Sequence, residues 1–309
     1  VKRRGVFDVK VSSVRHLTGD YCLLALELPR NFPEPEPGQF VMVHGKGRYP
    51  LLGRPLSIHD YRRAGRVVVL ELLLREVGEG TRALAALRKG DSLILWGPQG
   101  NGFKPDLSGP QILVAGGRGI APMWLLGKRI KAARKDLPAL ELFYGAASSD
   151  ELHYVDEFRD MGFKVHIATD DGSRGYRGIV TNLLREKMRF RPEAPAVKKH
   201  RKAPGVVQLG IFAEEKKQAQ AQEEKAPEAR PVPGTPPVFY TCGPIPMMAE
   251  AHRVAMAAGG RCQVSLEARM ACGIGVCLGC AHVMADDSQI HVCDDGPVLD
   301  SVRVFGGVE

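Results

Sequence analysis

Over the first third of the chain, apolar residues come in short runs or alternate with polar ones. Residues 6–14, 21–28, 39–44, 67–74 and 92–96 each fit a strand, with Gly and Pro between them. Short strands at this spacing predict an antiparallel barrel. One helical stretch interrupts it at 81–88, just after Gly78 and Gly80. From residue 111 the pattern changes. An apolar run at 111–115 leads into Gly116-Gly117-Arg118-Gly119 and then an amphipathic stretch at 122–135. Strand-like runs follow at 140–144, 164–168 and 238–241, and a helical stretch at 246–258. Buried runs alternating with helices predict a parallel sheet of nucleotide-binding type. Residues 191–237 carry clustered charge and several prolines, which predicts an exposed insertion.

Composition narrows the class without deciding it. With 309 residues the chain can form two to three domains, and its 25% charged and 44% hydrophobic residues are ordinary for a globular protein. No apolar run approaches the ~20 residues that span a bilayer. No leader is read in Val1-Lys2-Arg3-Arg4, so a cytoplasmic location is expected. The net charge of +8 is spread along the chain and no nucleic-acid motif accompanies it. Residues 262–309 depart from that balance, with two Lys/Arg against seven Asp/Glu.

That acidic end carries the clearest chemistry. Cys272, Cys277 and Cys280 are spaced C-x4-C-x2-C, and Cys293 follows after twelve intervening residues. Four thiolates so arranged can hold a [2Fe–2S] cluster, which carries one electron at a time. Gly273, Gly275 and Gly279 lie between the ligands, where a loop around an inorganic core needs positive φ and inward N–H groups. A four-thiolate zinc site is the alternative, although structural zinc usually takes two short pairs. Seven cysteines is an odd total, which argues against a disulfide framework; Cys22 and Cys262 are expected in the core.

Two further constellations suit nucleotides. Arg54-Pro55-Leu56-Ser57 offers a guanidinium for a diphosphate and a hydroxyl for a ring nitrogen, a plausible flavin clamp on a proline-stiffened turn. The helix start at Gly80 and Thr81 offers a second anion site, flanked by Leu73, Leu74 and Arg75. Gly116, Gly117 and Gly119 join a strand to a helix, where a second diphosphate can approach the backbone. Cys242-Gly243-Pro244 ends a later strand of the same sheet and is expected to face the same crevice, with Cys242 a possible nicotinamide contact or simply a buried thiol. Acids within 146–151, without an adjacent arginine, favour NAD over NADP.

In this order, the Arg54-Pro55-Leu56-Ser57, Gly116–Pro122, Cys242-Gly243-Pro244 and terminal cysteine signatures resemble the ferredoxin-NADP reductase superfamily. Residues 270–280 and 292–298 are similar to the end of the electron transfer subunits of NAD-linked dihydroorotate dehydrogenases. The likeness covers nearly all of the chain except 191–237. It implies an FAD-binding β-barrel at 1–105, a Rossmann-like NAD-binding domain at 106–261 and a [2Fe–2S] module at 262–309. It further implies FAD on Arg54, Pro55, Leu56, Ser57, Leu73, Leu74, Arg75, Gly80 and Thr81, and the cluster on Cys272, Cys277, Cys280 and Cys293. The expected partner is an FMN-containing catalytic subunit that oxidises dihydroorotate to orotate in pyrimidine biosynthesis, in a heterotetramer of two plus two. A diaphorase subunit of another redox complex, such as a hydrogenase, is the alternative. The superfamily often has an aromatic residue where Leu56 stands.

Overall fold

The structure is a computed structural model that describes residues 5–46, 52–133, 139–189 and 235–307. The expected insertion falls outside these residues except at its last three positions, 235–237.

The first sheet is built from β1 (Gly5–His16), β2 (Tyr21–Leu28), β3 (Phe40–Gly45), β4 (Arg54–Ser57), β5 (Asp60–Ala64), β6 (Val67–Arg75) and β7 (Ser92–Gln99), with α1 (Glu79–Ala85) before β7. Its order is β4-β3-β7-β1-β2-β6-β5 and every pairing is antiparallel. The two edges, β4 and β5, are successive pieces of one segment. Between them the Ile58 N–H donates to the Gln39 carbonyl (3.0 Å) and the His59 N–H to the Glu71 carbonyl (2.9 Å). One segment therefore joins both ends of the sheet, which curls it as the strand pattern predicts. β4 and β5 themselves escape the hydrophobic pattern, because Arg54, Asp60, Arg62 and Arg63 supply much of their length.

The second sheet contains β8 (Gln111–Gly116), β9 (Leu140–Ala146), β10 (Lys164–Thr169), β11 (Tyr176–Arg177), β12 (Val238–Cys242), β13 (Arg261–Ser265) and β16 (Val298–Asp300). Its order is β11-β10-β9-β8-β12-β13-β16, parallel except for β16. α2 (Ile120–Ala133), α3 (Val155–Asp160), α4 (Val180–Lys187) and α5 (Ile245–Ala257) accompany it, and α6 (Ser301–Phe305) follows β16. α3 and α4 have only six and eight residues, too few turns to display a helical period in the sequence.

The expected boundary at 262 falls one residue into β13, a strand that pairs with β12 along its whole length. β16 returns to pair with β13, so the same sheet frames the cysteine segment on both sides. Within that segment β14 (Ala281–Val283) and β15 (Gln289–His291) form a two-stranded sheet. One apolar core joins Cys280, Met284, Ile290, Val292 and Cys293 to α5, β12 and the β3 residues Phe40 and Met42. A second core joins Tyr21, Leu23 and Leu73 of the first sheet to α2 and β8. The cysteine segment is thus embedded, because its apolar side chains complete a core they could not form alone.

Candidate functional site

A cleft of about 750 Å³ lies between the curled sheet, the ends of β8 and β12, and the segment that follows β13. Arg54, Pro55, Leu56 and Ser57 line it from β4, Leu73, Leu74 and Arg75 from β6, and Thr81 from α1. The expected proline turn is corrected to an edge strand, with Pro55 opposite Met42. Proline lacks an N–H and is tolerated at such an edge. The Arg54 guanidinium donates to the Leu52 (3.1 Å) and Gly53 (3.3 Å) carbonyls. It also lies so close to Gly80 that a Cβ there would overlap it. The Thr81 hydroxyl donates to the Gly78 carbonyl (2.9 Å) and accepts from the Gly78 N–H (3.1 Å), holding the turn before α1. Arg75 pairs with Glu151 (2.7 Å) and covers the Tyr21 ring, so it ties the two sheets together at the cleft wall. Leu56 supplies no ring, and the aromatic side chain in the described lining is Phe40.

The floor is made where the chain order reverses. Cys242 at the end of β12 stands beside Ala115 of β8, and the loops beyond them touch backbone to backbone. A Cβ on Gly119 would overlap the Cys242 carbonyl, and one on Gly243 would lie 3.0 Å from the Gly116 nitrogen. On Gly116 it would meet Met247 Sδ at 2.7 Å and Pro244 Cδ at 2.9 Å. Gly116, Gly119, Gly243 and Pro244 therefore pack directly on one another at the start of the 14-residue α2, with Gly117 beside the Tyr21 hydroxyl, and the residues of this region that line the cleft are Arg118, Ala121 and Cys242. In open α/β sheets ligands bind at this reversal point, beyond the strands' carboxyl ends. Cys242 lines the cleft but is 2% exposed. Burial, then the Glu267 charge, raises its thiol above the ordinary range, so it stays neutral there. Cys22 and Cys262 are buried, as expected.

The four cysteines gather in the loop after β13. Positive φ at Gly273 (70°) and Gly275 (82°) folds that loop inward. The Gly275 N–H donates to Cys293 Sγ (3.0 Å), those of Ile274 and Cys277 to Cys272 Sγ (both 3.4 Å), and that of Cys293 to Cys280 Sγ (3.5 Å). Burial opposes ionisation of Cys272, but the Ile274 and Cys277 N–H groups outweigh it and hold the thiol at about 6. Burial, then the neighbouring Cys280 thiol, pushes Cys293 up to about 12. Cys280 and Cys293 have their sulfurs 3.2 Å apart and both are buried, so the two lie close enough to share one metal core. Four sulfur donors and backbone N–H groups turned toward them fit an iron–sulfur core.

Met42 joins the two regions. It is fully buried, pairs with Pro55 in the sheet, and packs against the cysteine loop so closely that a Cβ on Gly273 would lie 2.5 Å from its Cγ. One strand spacing, roughly 5 Å, separates the cleft wall from Met42, and the Met42 side chain spans the rest of the way to Gly273, the residue beside Cys272.

Residues 267–305 match the iron-sulfur cluster binding domain of dihydroorotate dehydrogenase B, and residues 113–197 match the oxidoreductase NAD-binding domain. The dihydroorotate dehydrogenase B (NAD(+)) electron transfer subunit of Caldanaerobacter subterraneus subsp. tengcongensis is 32% identical over 276 residues, 88% of either chain. That of Desulforamulus reducens is 32% identical over 304 residues, 97% of this chain and 98% of its own. The chain belongs to the dihydroorotate dehydrogenase B electron transfer subunit family. The fold agrees. An NADH-dependent reduced ferredoxin-NADP oxidoreductase superposes with a TM-score of 0.70 at 22% identity, over 96% of this chain and 89% of that one. A ferredoxin NADP+ reductase from Neisseria gonorrhoeae, solved with bound FAD and NADP, gives 0.57 at 18% identity, over 82% and 92%.

In this dihydroorotate dehydrogenase B family member, several lining residues carry no sequence signal. Phe40, Arg118, Glu267, Arg269 and Met270 all reach the cleft. Glu267, Arg269 and Met270 are placed by the return of the chain from β13 into the cysteine loop, which no local spacing encodes, and Phe40 by the start of β3. Arg118 was the most accessible to sequence reasoning, since it stands inside the glycine loop.

Proposed function

We propose that the chain passes electrons between NAD(H) and an FMN-containing catalytic subunit that interconverts dihydroorotate and orotate, a step of pyrimidine biosynthesis. When bound, FAD exchanges a hydride with nicotinamide and single electrons with a [2Fe–2S] cluster. The observation that carries this reading is Met42, which touches the cysteine loop while pairing with the strand that lines the cleft.

On this reading Arg54 neutralises the flavin diphosphate, Ser57 faces a ring nitrogen, and Pro55 and Leu56 continue the wall. Leu73, Leu74, Arg75, Gly80 and Thr81 complete it. Gly116, Gly117, Gly119, Cys242, Gly243 and Pro244 seat the nicotinamide nucleotide on the floor. Cys272, Cys277, Cys280 and Cys293 hold the cluster, and Met42 fills the space behind it and keeps water out. Ile274, Val276 and Leu278 are exposed beside Cys277, within the acidic segment. They supply an apolar centre with a charged rim for the partner. A two-plus-two heterotetramer in the cytoplasm follows from the same reading. Among the described residues no helix is long and apolar enough to cross a membrane.

Mixing the purified chain with the FMN subunit tests the proposal. NAD-linked orotate formation is the expected result. Its absence, with both proteins loaded and folded, would overturn the assigned partner. Gly119→Ala tests the floor. Its Cβ meets backbone, which cannot swing aside, so a stability loss of about 1–3 kcal/mol is expected. KM for NADH should rise while flavin content holds, measured by steady-state dye reduction; an unchanged KM would remove this loop from the nucleotide site.

A further inference from the structure

Arg118 stands inside the glycine loop, and its guanidinium reaches across the cleft to Glu267, on the segment that leads into the cysteines. The contact is 3.4 Å long and both side chains are half exposed. A well-made charged pair is shorter, ~2.7–2.9 Å, and an exposed pair contributes little. The pair is therefore easily exchanged for a better anion. The loop offers a place for one, since it leads into the 14-residue α2 and a helix N-terminus favours negative charge.

A second observation points to a ligand at the same loop. Tyr21, on β2, is 1% exposed, and its hydroxyl has no hydrogen-bond partner among the described residues. That hydroxyl lies 3.8 Å from where a Cβ on Gly117 would stand, so an unused donor is aimed at the glycine loop from the facing sheet. Burial, then the Glu151 charge, pushes the phenol up to about 12, so it keeps its proton. Buried donors without acceptors are rare and call for an explanation.

We propose that Arg118 clamps the diphosphate of the nicotinamide nucleotide and that Glu267 is the counter-ion it leaves on binding. This rests on the glycine loop being the nucleotide site. Arg118 contributes a forked donor that glycines cannot supply, and Glu267 competes for it. Nucleotide binding then frees a carboxylate on the segment that leads into the cluster ligands.

The test is ADP-ribose affinity of the FAD- and cluster-loaded protein, by calorimetry. ADP-ribose carries the diphosphate without the nicotinamide, so the readout does not depend on turnover. Arg118→Ala is expected to weaken binding about ten- to a hundredfold. Glu267→Gln is expected to tighten it about two- to fivefold, because Arg118 loses its competitor. Opposite signs exclude a purely structural role for the pair. Unchanged affinity in Arg118→Ala, or weaker binding in Glu267→Gln, overturns the proposal. Gly119→Ala separates the two levels. If it weakens ADP-ribose and Arg118→Ala does not, the clamp alone fails; if neither does, the loop is not the nucleotide site.

Discussion

Replacing Cys277 with serine is expected to abolish electron delivery to the partner while leaving NADH-to-dye reduction within about twofold of the parent. The asymmetry follows from where Cys277 sits. It is exposed at the rim of the cysteine loop, so the nearly isosteric change opens no cavity and breaks no core contact. A serine hydroxyl keeps its proton at neutral pH and is a poor ligand for iron, so one corner of the ligand set is lost. Visible and EPR signals of the cluster should disappear and coupled orotate formation should fall to background. The flavin wall and nucleotide site proposed above are built by other residues, so hydride transfer to FAD and on to a dye should continue. Cys293→Ala is the contrast. Cys293 is 0% exposed within the core that joins the loop to α5 and β3. That variant should lose the cluster and also melt at lower temperature. If Cys277→Ser lost FAD and dye reduction as well, the exposed edge of the loop would be supporting the whole cleft, contrary to the packing described.

Arg54→Ala is expected to have an effect of similar size on a different observable. Its guanidinium is the positive group on β4, held by the Leu52 and Gly53 carbonyls and laid over Gly80. Losing a charge-assisted, forked contact to a diphosphate should weaken FAD binding about a hundredfold. The protein should purify largely without flavin, and every NADH-driven rate should fall in proportion, since nicotinamide and cluster communicate only through FAD. Excess FAD should restore turnover. Arg54→Lys should restore little, because an ammonium cannot reproduce the fork. Gly80→Ala gives an independent check. The added Cβ meets the flexible end of Arg54, so the chain should fold normally while the guanidinium is displaced and FAD affinity drops. Normal flavin retention in both Arg54→Ala and Gly80→Ala would remove Arg54 from the flavin site.

The parts of this protein that were legible in its sequence are those whose chemistry is local. The C-x4-C-x2-C spacing, the glycines between the ligands, the glycine loop between a strand and a helix, and the long strands of both sheets each express a constraint satisfied within a dozen residues. Cys272, Cys277 and Cys280 could be grouped from spacing alone because one loop carries them. Arg54 could be singled out as a candidate anion ligand although its setting could not be read. Its strand is short and polar, and it exists because β3 offers an edge to pair with and because Ile58 and His59 carry the segment across to β6.

What only the tertiary structure decided is how those local pieces share space. Sequence spacing says nothing of Met42 lying between Pro55 and Gly273, of Tyr21 aiming a hydroxyl at Gly117, or of Glu267 facing Arg118. Nor does it say that β13 and β16 flank the cysteine loop as paired strands of the second sheet. The physical reason is the same in each case. A ligand set or a turn is selected by short-range geometry and leaves its mark on neighbouring residues, whereas a shared core is selected by the burial of apolar surface, which is indifferent to distance along the chain.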